Sequence, residues 1–224
     1  MNRDRGLLAP LLGLLFVVLT IVSFAVFGDE PPGEGSGAQK VVDFYVDNKD
    51  QLMTGAIIQA LAASAFVFFA GYLRQVLRDA SGGRSFLPSV VLAGATIFAT
   101  GTAIDATITF TQAETAGEVN PVANETLNAL WHNDFVPMAL GLLIFLLAAG
   151  IAIVRTGVLP KWLGFIAILL AVFVMTPLWF VGLIGGALLI VIMSVMLALR
   201  ERAAGTGGPA AGPGTGGTVP PAAA

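Results

Sequence analysis

Residues 162–199, WLGFIAILLAVFVMTPLWFVGLIGGALLIVIMSVMLAL, run from Trp162 to Leu199 without a charged side chain. As one α-helix rising about 1.5 Å per residue, the stretch would measure roughly 57 Å, against a bilayer hydrocarbon core of about 30 Å. It has to turn back. Thr176-Pro177 lies near its middle. Proline lacks a backbone donor and disfavours helix at the residue before it, so the stretch reads as two short antiparallel helices, 162–176 and 178–199.

Outward from that hairpin, the apolar runs 6–27, 52–73, 86–110 and 135–154 each reach the roughly 20 residues that a helical crossing needs. The expected fold class is therefore all-α, a polytopic transmembrane six-helix bundle. Composition agrees with it, because 56% of residues are hydrophobic and 11% charged, whereas soluble domains carry about 25% charged residues. The absence of cysteine removes disulfides, thiolate chemistry and cysteine-ligated metals together. His132 is the single histidine, which excludes a multi-histidine metal site.

Orientation follows from lysine and arginine in the connections. With six spans, Arg3, Arg5, Arg74, Arg78, Arg84, Arg155, Lys161, Arg200 and Arg202 all fall on one side, and only Lys40 and Lys49 on the other. The second side also collects Asp29, Glu30, Glu34, Asp43, Asp47, Asp50, Glu114, Glu118, Glu125 and Asp134. The expectation is a plasma (inner) membrane protein with both termini cytoplasmic. Ser23-Phe24-Ala25 has the look of a cleavage site. The apolar run before it is longer than a signal peptide needs, and its removal would leave an odd number of crossings, so the first helix is expected to stay.

The two outer loops are 28–51 and 111–134. The first begins flexibly and is expected to form a short interfacial helix over 38–50 that leads into the second span. In the other, Asn120-Pro121 marks a turn before helical spacing of Leu127, Leu130 and Trp131. Asn133 or Asp134 is the expected N-cap of the fourth span, which carries Pro137 in its first turn. Residues 203–224, rich in Ala, Gly, Pro and Thr, read as a disordered cytoplasmic tail.

Asp105 is the one ionisable side chain within the apolar runs, and insertion of a charged Asp at a helix centre costs about 2.5 to 3.5 kcal/mol. Thr102 and Thr109 share its helix face at spacings of three and four. Gln59 lies at similar depth in the second span, and His132 marks the outer end of the fourth. Two readings stand beside each other. Asp105, Gln59, Thr102, Thr109 and His132 line an outward polar pocket that titrates or binds a cation, or Asp105 bonds Gln59 and nearby hydroxyls and joins the helices. His132 with Asp134 is the weaker hint of a general base, and a lone imidazole in a loop is more often a solvated or capping group. Asn124-Glu125-Thr126 matches a short glycosylation pattern.

Small residues recur at steps of four in Ala95, Ala99 and Ala103, in Ala167 and Ala171, and in Gly182 and Gly186. Such steps let helix backbones approach, within the bundle or between two copies through Gly182 and Gly186. Arg74, Arg78 and Arg84 suit anionic headgroups but are also what orientation alone requires. No catalytic residue, cofactor or metal is expected. The partners expected are the lipid bilayer and either another membrane protein or a second copy, not nucleic acid. The leading class is a non-enzymatic structural, sensory or partner-binding membrane component. A small transporter or channel subunit built around Asp105 is the alternative.

Three passages carry a resemblance: Phe44-Tyr45-Val46-Asp47-Asn48 leading to Gly71-Tyr72-Leu73-Arg74, Asn128 through Pro137, and Arg155 through Gly164. They resemble an uncharacterised family of small bacterial, largely actinobacterial, multi-pass membrane proteins. The resemblance implies a six-helix bundle in a bacterial plasma membrane and supplies no reaction, ligand or catalytic residue.

Overall fold

The structure is a computed structural model that describes the backbone of residues 3–206 and the side chains of 8–203. Among the described residues the fold is all-helical, in the order α1 (Arg3–Phe27), α2 (Ala38–Asp47), α3 (Lys49–Ala80), α4 (Leu87–Thr115), α5 (Pro121–Asn133), α6 (Phe135–Thr156), α7 (Lys161–Val174) and α8 (Trp179–Thr206). α1, α3, α4, α8 and the α5–α6 stretch Pro121–Thr156 are long and apolar enough to cross a membrane, while α7 is shorter. α8 continues through Thr206, across the first positions of the tail expected from 203. The rest of that tail lies outside the described residues.

Sequence chemistry explains the breaks. α3 ends at Ser81-Gly82-Gly83, where both glycines take positive φ (62° and 74°) and the Gly83 N–H returns to the Arg78 carbonyl at 2.9 Å. That backbone geometry carries no Cβ penalty only for glycine. Between α7 and α8 the Thr176 hydroxyl donates to the Phe173 carbonyl at 2.8 Å and accepts from the Leu178 N–H at 3.2 Å. The turn at Thr176-Pro177 thereby satisfies groups that the broken helix leaves open. Its tip reaches the level where α6 begins, since the rings of Phe135 and Trp179 stack at 6.4 Å.

The centre of the bundle is aromatic. Phe66 of α3 meets Phe16 of α1, Phe98 of α4 and Phe145 of α6 at centroid separations of 4.7, 5.2 and 4.9 Å. Around it the helices approach through glycine. A Cβ on Gly141 would strike the Phe98 backbone, one on Gly101 would lie 2.7 Å from the Met138 nitrogen, and those on Gly150 and Gly164 would each meet the other residue's carbonyl oxygen at 2.7 Å. In lipid, apolar side chains gain nothing by leaving solvent, so close backbone packing of this kind drives association. Gly182 packs on Val174 and Gly186 faces Leu142 and Leu146. Both glycines thus meet neighbours within the chain, the packing use set out above for that step. Ala95, Ala99, Ala167 and Ala171 are buried in the same way, whereas Ala103 is exposed.

Outward-facing positions are apolar too. Phe68 is 69% exposed, Leu188 60% and Ile184 59%. A surface of this composition along helices that satisfy their own backbone is the form that a bilayer solvates. The chain is a multi-pass helical membrane protein.

Candidate functional site

One end of the bundle gathers the α3–α4 turn, the α6–α7 turn and the end of α8, where Tyr72 donates to Glu201 at 3.0 Å and Arg200 to the Val158 carbonyl at 2.8 Å. The opposite end is capped by α2 and α5, which pack on each other. The cap lies where a short helix was expected in each outer loop.

Asp105 sits on α4 beneath this cap. The Gln59 amide of α3 donates to its Oδ2, and the Trp131 side chain of α5 lies close to the same carboxylate. The carboxylate therefore ties α3 to α4 beneath α5. Of the residues named from sequence, Gln59 and Asp105 are brought into contact. Thr102 is buried and gives its hydroxyl proton to the Phe98 carbonyl of its own helix at 3.0 Å. Thr109 is buried one turn above Asp105. His132 points elsewhere, with Nε2 3.1 Å from the Pro32 carbonyl, an arrangement in which the ring nitrogen donates.

A second set of groups, not singled out from sequence, forms the interior of the cap. The Gln112 amide donates to the Tyr45 hydroxyl at 2.9 Å, Tyr45 donates to Asn128 Oδ1 at 3.4 Å, and Asn128 Nδ2 donates to the Pro32 carbonyl at 2.8 Å. Tyr45, Gln112 and Asn128 are all buried, as is Asn124 one turn before Asn128. Burial pushes the Tyr45 phenol well above its ordinary value. The Gln112 bond opposes that shift and the negative charge of Asp105 adds to it. The signal was present in the spacing. Asp105, Thr109 and Gln112 recur at i, i+4 and i+7 on α4, and Asn124, Asn128 and Trp131 do the same on α5. The two polar stripes belong to helices that contact each other.

Several buried atoms in this region lack a hydrogen-bond partner: Gln59 Oε1, Gln112 Oε1, both amide atoms of Asn124, and Asp134 Oδ2. Asp134 occupies the N-cap position of α6 without a side-chain capping bond, while Asn120 caps α5 by accepting from the Val122 N–H at 3.0 Å. Burial of Asn124 also takes its amide away from the surface that the glycosylation pattern would need. Among the described residues no three His, Cys, Asp or Glu side chains group to hold a metal ion.

No family model, curated protein or solved structure matches the chain.

Proposed function

We propose that this protein is a six-span component of a bacterial plasma membrane, with both termini cytoplasmic, that works without catalysis as a structural or partner-binding element. Membership of the uncharacterised actinobacterial family that it resembles belongs to the same proposal. The stack of Phe135 on Trp179 supports the sixth crossing, since it puts the start of α8 level with the start of α6. The sorting of nine basic residues to one end supports the orientation.

The observation that carries the functional reading is the hydrogen bond that Gln59 of α3 donates to Asp105 of α4. Polar contacts of this kind join transmembrane helices, and catalysis needs two or more positioned reactive groups. The test is ion flux in proteoliposomes under an imposed pH gradient. Flux at the level of empty vesicles, unchanged by Asp105→Asn, is the expected result. A flux that Asp105→Asn abolishes would overturn it.

The second reading is a small transporter or channel subunit with an outward polar pocket around Asp105. The partnerless buried atoms of Gln59, Gln112 and Asn124 favour it, because buried polar atoms call for water or a ligand.

A further inference from the structure

At the end of the bundle opposite the cap, a cavity of about 470 Å³ opens between the α3–α4 turn and the end of α6. Ser81, Arg84, Ser85, Phe86, Arg155 and Thr156 are on its wall, and no carboxylate lines it. Arg84 and Arg155 come from separate connections. Among the described residues neither guanidinium has a hydrogen bond or an ion pair. The helix ends beside them do not require them either. Carbonyls of Leu77, Arg78 and Asp79 accept from Ser81, Gly83 and Gly82, and those of Ala152 and Ile153 accept from Thr156 and Gly157.

A neighbouring concavity of about 380 Å³ differs in charge, because Asp79 and Glu201 line it beside Arg200. The positive bias is thus confined to one of the two. Phe86, 71% exposed, lies at the mouth of the arginine-lined cavity. A cavity whose wall includes two arginines without hydrogen-bond or ion-pair partners and an exposed aromatic ring suits an amphiphile with an anionic head. Its volume falls within the range of small-molecule pockets.

We propose that this cavity binds the phosphate of an anionic glycerophospholipid, held between Arg84 and Arg155 with the acyl chains running past Phe86. The inference rests on the membrane reading and not on the role of Asp105.

The test uses the full chain purified in a non-ionic detergent. Binding of dioctanoyl phosphatidylglycerol, dioctanoyl phosphatidylcholine and inorganic phosphate is followed by native mass spectrometry and thermal shift. Phosphatidylglycerol is expected to bind tightest, and Arg84→Gln/Arg155→Gln to weaken it roughly tenfold or more. Arg74→Gln/Lys161→Gln removes the same charge from the same end and should leave binding within about twofold of the parent. The single variant Arg84→Gln gives an intermediate loss and serves if the double variant melts early. Equal weakening by both double variants, equal retention of phosphatidylcholine, or equally tight inorganic phosphate would each overturn the proposal. None of those outcomes alters the flux test on Asp105.

Discussion

The Gln59 amide reaches across the α3–α4 interface to the Asp105 carboxylate, beneath the α5 helix that carries Trp131. One acidic side chain thereby joins two long helices below the end that α2 and α5 cap.

Replacement of Asp105 separates polarity from charge. Asp105→Asn keeps an acceptor for Gln59 and should cost less than about 1 kcal/mol, in line with interhelical bonds measured in membranes. Asp105→Leu leaves the Gln59 amide donor without its partner and should cost about 1–3 kcal/mol. Thermal or denaturant melting in detergent reads the difference. Equal and negligible effects would remove the joining role altogether.

Glycine positions predict opposite signs. Gly141 lies where a Cβ would strike the Phe98 backbone, so Gly141→Ala should destabilise by about 1–3 kcal/mol through overpacking. Gly71 is mid-helix with nothing near its added Cβ, so Gly71→Ala should be neutral or stabilising by up to about 1 kcal/mol. Melting both variants under one condition checks the pair.

The Tyr45 phenol titrates above its ordinary 10.0 in the fold, chiefly because it is buried. A raised folded value means that the fold favours the neutral phenol. Its contribution is complete below about pH 10 and is lost as pH rises toward the folded value. The melting temperature should fall more steeply above about pH 10 in the parent than in Tyr45→Phe. Parallel profiles would show that the phenol sits in water.

Much of the fold was legible because bilayer physics acts on runs of residues. The break at Thr176-Pro177 and the helices within both outer loops all appear in the structure. The site was read less completely. Depth along a helix can be counted, which brought Gln59 and Asp105 together, but rotation about the helix axis cannot be, which is why His132 was grouped with them although it bonds to Pro32. The Tyr45, Gln112 and Asn128 network depends on α2 folding back over α4 and α5, a long-range event that no local pattern encodes. Gly182 and Gly186 show the same gap, since a small-residue step does not say which neighbour it meets.

The central claim is that the chain crosses the membrane an even number of times, with the α2–α5 cap outside. Absence of native cysteine makes single-cysteine labelling in intact cells unambiguous. Glu118→Cys should react with a membrane-impermeant maleimide, while Ser81→Cys and Ala203→Cys should react only after the cells are opened. Labelling of Ala203→Cys from outside, or protection of Glu118→Cys in intact cells, would contradict the account.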